Sequence, residues 1–141
     1  MDNARTLELL RRHEGLRLRP YRDTTGHLTI GYGRNLDAKG ISQAEAEFLL
    51  ANDFEQAVRD ARSLVDLDAL DDVRAAVLVD MAFNLGRRRL SGFRRMLEAL
   101  HQGDWPRAAY EMRDSLWAQQ VKTRAFELSM MMESGQWPAS R

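Results

Sequence analysis

The 141-residue sequence contains no cysteine. That excludes a disulfide framework, a thiolate metal site and a cysteine nucleophile together. Charge of one sign is also missing: 21 basic residues stand against 21 acidic ones, so the chain has no global cationic signature to draw nucleic acid or membranes over a distance. Long apolar runs are absent as well. The longest, Ala75 to Val79, ends at Asp80, far short of the ~18–20 residues that cross a bilayer. The first dozen residues break their leucines with charges and make no signal-peptide core. Proline and glycine are missing altogether from residues 41–85, where long helices are therefore expected. What is present is 44% hydrophobic residues, enough to build the core of one domain.

The charges are segregated along the chain. Residues 1–41 carry 8 basic and 5 acidic side chains, residues 42–86 carry 3 and 10, and residues 87–141 carry 10 and 6. Asp2 or Asn3 can cap a first helix with an apolar stripe at Leu7 and Leu10, and Gly15 offers its stop. From Arg17 to about Arg34 the glycines at 26, 31 and 33 punctuate short runs such as Leu28-Thr29-Ile30, and Asp23-Thr24-Thr25-Gly26 reads as a turn. This predicts a small antiparallel sheet of two or three strands.

Ser42 and Glu45 then form a capping box for a helix running to about Arg62. A break is expected near Leu64 to Asp68, with a new helix from about Asp71. Val73 to Leu85 is apolar on nearly every side and belongs in the middle of a core. Gly86 should end it and Ser91 start the next helix, which runs to His101. Asp104-Trp105-Pro106 opens another, with Trp117 and Gln119 near its end, and a last helix reaches Glu133. The class is α+β: a little sheet, then about five or six helices, with a cleft expected between them.

Three residues in the first thirty carry a chemical possibility. Glu14 closes a helix, Asp23 opens a turn, and Thr29 lies on the following strand. Cleaving a glycosidic bond needs a proton donor for the leaving oxygen and a second carboxylate across the sugar. Glu14, at the negative end of a helix dipole, suits the proton carrier; Asp23, in a polar turn beside hydroxyls, suits the ionised partner.

The run from His13 to Gly33 holds Glu14-Gly15-Leu16-Arg17-Leu18, Tyr21-Arg22-Asp23, Gly26 and Thr29-Ile30-Gly31-Tyr32-Gly33. It resembles the signature of phage-type lysozymes, the muramidase endolysins of tailed phages. Further on, Arg74 to Val77, Met81 to Gly86, Ser91 to Phe93, Trp105, Ala108-Ala109, Trp117 and Arg124-Ala125 resemble that family's helical part.

The resemblance implies a lysozyme-like fold, with a small N-terminal antiparallel sheet lobe joined by a long helix to a mainly helical C-terminal lobe. Residues 1–141 would form one catalytic domain, the sheet lobe at about 14–50 and the helical lobe at about 60–141 plus helix 1–13. It implies hydrolysis of the β-1,4 bond between N-acetylmuramic acid and N-acetylglucosamine in bacterial peptidoglycan, by inversion, for host lysis. Glu14 would be the general acid, Asp23 the carboxylate that activates or positions water, and Thr29 its partner in holding that water. Gly33, Phe83 and Asn84 would contact the sugars, and Arg124 would form an ion pair with Glu14.

No cofactor and no metal are expected, since His13, His27 and His101 lack partners at ligand spacing. Nor is nucleic-acid binding or stable membrane insertion, and the chain is expected to be a monomer. It would be made in the bacterial host cytoplasm without a signal peptide and reach the cell wall through a separate pore. Two departures stand out. Arg34 occupies the place of a family histidine, which removes any ion pair built on that histidine, and the connection from Asn35 to Ser42 is short. The basic run Arg87 to Arg95 reads as solvated surface, and Trp117 with Met130 to Met132 as core. A non-enzymatic wall-binding protein and a lytic transglycosylase remain open alternatives on residues alone.

Overall fold

The computed structural model describes residues 1–139. The chain divides into two compact units, Met1–Phe48 and the stretch from Leu49 onward.

In the first unit, helix α1 (Asn3–Glu14) begins because the Asp2 carboxylate accepts from the Arg5 amide at 3.0 Å, and it stops at Gly15, whose φ is 70°. Of the two possible caps, Asp2 does the work. Strands β1 (Arg17–Arg22), β2 (Leu28–Gly31) and β3 (Arg34–Asn35) follow as a three-stranded antiparallel sheet in chain order. Arg17 lies opposite Gly31 and Tyr21 opposite Thr29, so β1 bulges between Arg17 and Tyr21. Pro20 falls inside that bulge on an edge strand, where its missing amide breaks no ladder. The Arg17 guanidinium covers the Tyr21 ring at 4.4 Å.

A one-turn helix, α2 (Leu36–Lys39), fills the short connection; Asn35 caps it by accepting from the Ala38 amide. The capping box forms as expected at the start of α3 (Gln43–Arg62). Ser42 Oγ accepts from the Glu45 amide at 3.1 Å, and Glu45 accepts from the Ser42 amide at 2.9 Å. Glu45 also takes a bidentate bond from Arg34, at 2.9 and 2.7 Å. Arg34 thus builds its own ion pair in the place of the histidine. The first unit takes in α1 together with the sheet. Only Gly15 and Leu16 separate α1 from β1, its last side chain lies against the sheet's second turn, and none of its residues is buried.

The second unit contains the apolar core. After the expected break, a 3₁₀ turn at Leu67–Ala69, Asp71 caps α4 (Asp72–Ser91). Val77, Leu78 and Met81 of α4 are wholly buried, and Met96, Met112 and Met132 from later helices are nearly or wholly so. Leu78→Ala should cost about 2–5 kcal/mol through lost transfer energy and the cavity left behind. Denaturant unfolding reads that loss, with little effect expected from Phe126→Ala, whose side chain is exposed.

Gly86 leaves helical geometry, with φ 79° and ψ 164°, so the first stretch of α4 ends there as expected and a second stretch runs on to Ser91. Two boundaries differ from the sequence reading. Ser91 does not start a helix, because its hydroxyl donates backward to the Arg88 carbonyl at 2.6 Å; α5 (Arg94–His101) begins after Phe93. Asp104 caps α6 (Trp105–Arg113) as expected. Trp117 and Gln119 belong to a separate short helix, α7 (Leu116–Val121), which Ser115 caps by accepting from the Ala118 amide. Helix α8 (Thr123–Ser134) ends at Gly135. There Arg74 donates to the carbonyls of Met132 and Glu133 at 2.7 and 2.9 Å, a cation placed on the negative end of a helix.

Candidate active site

Glu14 is the last residue of α1, and its carboxyl lies over Gly33 in the turn between β2 and β3. A Cβ added at Gly33 would stand 2.6 Å from Glu14 Oε2 and 3.2 Å from Cδ. Gly33 also has φ +76°, a region that side chains resist. Gly33, expected from the sequence to contact sugar, also seats the Glu14 carboxyl.

Asp23 opens the turn at the other end of β2. Its Oδ1 accepts three hydrogen bonds: from the Thr25 amide at 2.9 Å, the Thr25 hydroxyl at 2.7 Å and the His27 amide at 2.9 Å. Among the described residues Oδ2 has no hydrogen-bond partner, so the carboxylate is pinned by one oxygen and open at the other. The Thr25 hydroxyl, then the His27 amide, hold this carboxyl below its ordinary range; burial opposes them slightly, and the Thr25 amide and the nearby His27 add to them. Bonds to the charged form favour it, so Asp23 is ionised at neutral pH.

Thr29 is buried on β2, and its hydroxyl donates to the His27 carbonyl at 2.9 Å. Asp23 and Thr29 therefore hold the two polar ends of one residue's backbone, Asp23 at the amide and Thr29 at the carbonyl of His27. The hydroxyl's only hydrogen is used, which leaves it an acceptor.

The remaining candidates lie in the second unit. Phe83 is exposed on α4 and lines a hollow of about 250 Å³ with Asp53, Gln56 and Asp60. Asn84 accepts from the Trp117 indole at 2.7 Å, and that indole is packed edge-on by Phe93 at 6.0 Å between centroids. Trp117, read as core, thereby orients Asn84 too. Arg124 is engaged by Asp80 of α4, Nε to Oδ1 at 2.8 Å and Nη2 to Oδ1 at 2.7 Å, a partner that nothing in the sequence pattern singled out.

Of the basic run, Arg87 donates to Ser63 and Arg89 to Gln120, while Arg94 and Arg95 line a hollow of about 550 Å³ with Glu111 and Asp114. Met131 and Met132 are core as expected, and Met130 is exposed. The sequence reading missed Thr25 and His27 as partners of Asp23. The Asp-x-Thr-Gly-His spacing is the available signal, since an aspartate commonly bonds the backbone two residues on.

The profile of the family described as Phage lysozyme matches residues 11–127, a span that takes in both carboxylates and runs through α7 into α8. The chain belongs to the phage lysozyme family. It is a glycoside-hydrolase domain of the muramidase type, with a lysozyme-like α+β fold. Among relatives, the pre-baseplate central spike protein Gp5 of Enterobacteria phage T4 is 33% identical over 162 aligned positions, which cover 94% of this chain and 28% of that protein. A probable T4-type lysozyme of Dictyostelium discoideum is 27% identical over 158 positions, 91% of this chain and 93% of the relative. An endolysin of Acyrthosiphon pisum secondary endosymbiont phage 1 is 31% identical over 108 positions, 74% and 73% of the two chains. This lysozyme domain thus spans little more than a quarter of the spike protein and nearly all of the Dictyostelium relative. Among the described residues, no helix is long and apolar enough to cross a membrane.

Proposed function

We propose that this chain hydrolyses the β-1,4 bond between N-acetylmuramic acid and N-acetylglucosamine in bacterial peptidoglycan, with inversion at the anomeric carbon, as a step in host lysis. The observation that carries this reading is the state of Asp23: ionised, fixed through Oδ1, and open at Oδ2 beside the residue that also anchors Thr29. Glu14 donates a proton to the leaving glycosidic oxygen as that bond breaks. Water attacks the opposite face of the sugar and gives its proton to Asp23 Oδ2.

Thr29, its own hydrogen already committed to the His27 carbonyl, accepts the water's second hydrogen. A water that donates both hydrogens turns a lone pair to the anomeric carbon. Inversion requires the two carboxyls to stand about 6.5–9.5 Å apart in the working enzyme, with that water between them. Gly33, Phe83 and Asn84 keep the sugar-contact roles, and Arg124 the ion-pair role, implied by the family. The enzyme acts as a monomer on the wall, made in the host cytoplasm and released through a separate pore.

Mass spectrometry of digested peptidoglycan is the direct test. Fragments with reducing muramic acid ends are expected, and proton NMR of the first product should show the α-anomer. A β-anomer would mean retention. Anhydro-muramic ends would replace hydrolysis by transglycosylation, and lysis without new sugar ends would remove the enzymatic reading.

A further inference from the structure

The turn that carries Asp23 holds a second hydrogen-bond link that the reaction above does not use. Thr25 Oγ1 lies 2.7 Å from Asp23 Oδ1 and 2.6 Å from His27 Nδ1. We propose that His27, acting through the Thr25 hydroxyl, is a positioning residue that sets which oxygen of the Asp23 carboxylate is left open.

The number of available protons fixes the direction of each bond. A threonine hydroxyl has one hydrogen, and an ionised carboxylate only accepts. If that hydrogen pointed at His27, two oxygen lone pairs would face each other at 2.7 Å. The hydrogen therefore goes to Asp23, and the Thr25 oxygen accepts from His27 Nδ1. Nδ1 must then carry a hydrogen itself. In the neutral ring this is the Nδ1–H tautomer, the minor form for an imidazole free in water, with the lone pair on Nε2.

Protonating the ring adds a hydrogen at Nε2 and leaves the donor at Nδ1 in place, so the link persists in both charge states. It locks the hydroxyl rotor, which together with the two amides saturates Oδ1 and leaves Oδ2 as the free oxygen. The turn's other charges are Arg22, which donates to the Gly26 carbonyl at 3.0 Å, and Asp37, which accepts from the Leu28 amide at 2.8 Å. Neither touches this link.

The chain of bonds stands on geometry alone; its catalytic meaning rests on Asp23 being the base proposed above. Nitrogen-15 NMR of the histidine rings separates the two. Neutral His27 should show the Nδ1–H tautomer, and Thr25→Val should switch it to the Nε2–H form, with His13 and His101 unchanged as internal references. The Asp23 carboxyl, followed by carbon-13 NMR, should titrate higher in Thr25→Val and in His27→Leu. It should stay near wild type in His27→Asn, whose amide nitrogen can replace Nδ1 as donor.

On peptidoglycan, His27→Leu should lose on the order of 10-fold in kcat with KM held, less than the 10²-fold of a 1 Å displacement, and His27→Asn should recover most of it. An Nε2–H tautomer in the wild type, or an Asp23 titration indifferent to both Thr25→Val and His27→Leu, would overturn the link. The expected NMR pattern with undiminished kcat in His27→Leu would overturn the positioning role. A wild-type protein that cuts no glycan would remove Asp23 as base while the NMR still decides the link.

Discussion

Replacing Glu14 by glutamine is expected to lower the rate of peptidoglycan cleavage by about 10²–10⁴-fold, the range that a positioned proton donor contributes. Glutamine keeps the length and planarity of the side chain, so it can rest on Gly33 as the carboxyl does. What it cannot do is hand a proton to the leaving oxygen. Because the residue ends α1 at an exposed position, folding should be untouched, and a thermal melt should superimpose on the wild type. The loss should fall on kcat with KM little changed, since the missing interaction exists only in the transition state. Wall clearing by Glu14→Gln at the wild-type rate would take the general acid away from this residue.

The second large effect is expected at Gly33→Ala, and there activity and stability should separate. A methyl at this position meets Glu14 Oε2 at 2.6 Å. The atom it meets is the free end of a flexible side chain, so the carboxyl swings away and the backbone stays. Stability should fall by about 1–3 kcal/mol, the strain of a side chain held at positive φ. Activity should fall by on the order of 10²-fold, because in the proposed mechanism the displaced group is the proton donor.

Gly31→Ala is the matched control. Its φ is +70°, and nothing lies within 4 Å of the added methyl. It carries a similar backbone strain with no contact to Glu14, and should lose stability while keeping most of its activity. Equal losses of activity in the two variants would mean that strain, not the Glu14 contact, explains Gly33.

How much of this was legible beforehand depends on the range of the interaction. The caps at Asp2 and Asp104, the helix start near Asp71, the Ser42–Glu45 box and the break before α4 are all contained within a few consecutive residues, and each was readable. The failures at Ser91 and Trp117 are of another kind. A short break between two helices can open or close without changing the local pattern. A serine can cap forward or bond back to the preceding turn. In each case the alternatives are locally close in energy, and packing of the surrounding helices chooses between them.

For the site, the two carboxylates and Thr29 could be named because their residue types and spacing make a pattern that also marks a family. Sequence by itself determined the class of fold and the turn at Asp23, since capping, turn formation and hydrophobic periodicity act over a handful of neighbours. Only the tertiary structure decided that Glu14 rests on Gly33, that Asp23 is bonded through one oxygen and open at the other, and that Arg124 is held by Asp80. Those outcomes depend on direction and distance between groups that folding brings together from 19 and 44 positions away for Glu14 and Arg124. Even within the Asp23 turn, they depend on which atom of a short loop faces which, and spacing along a chain does not encode that.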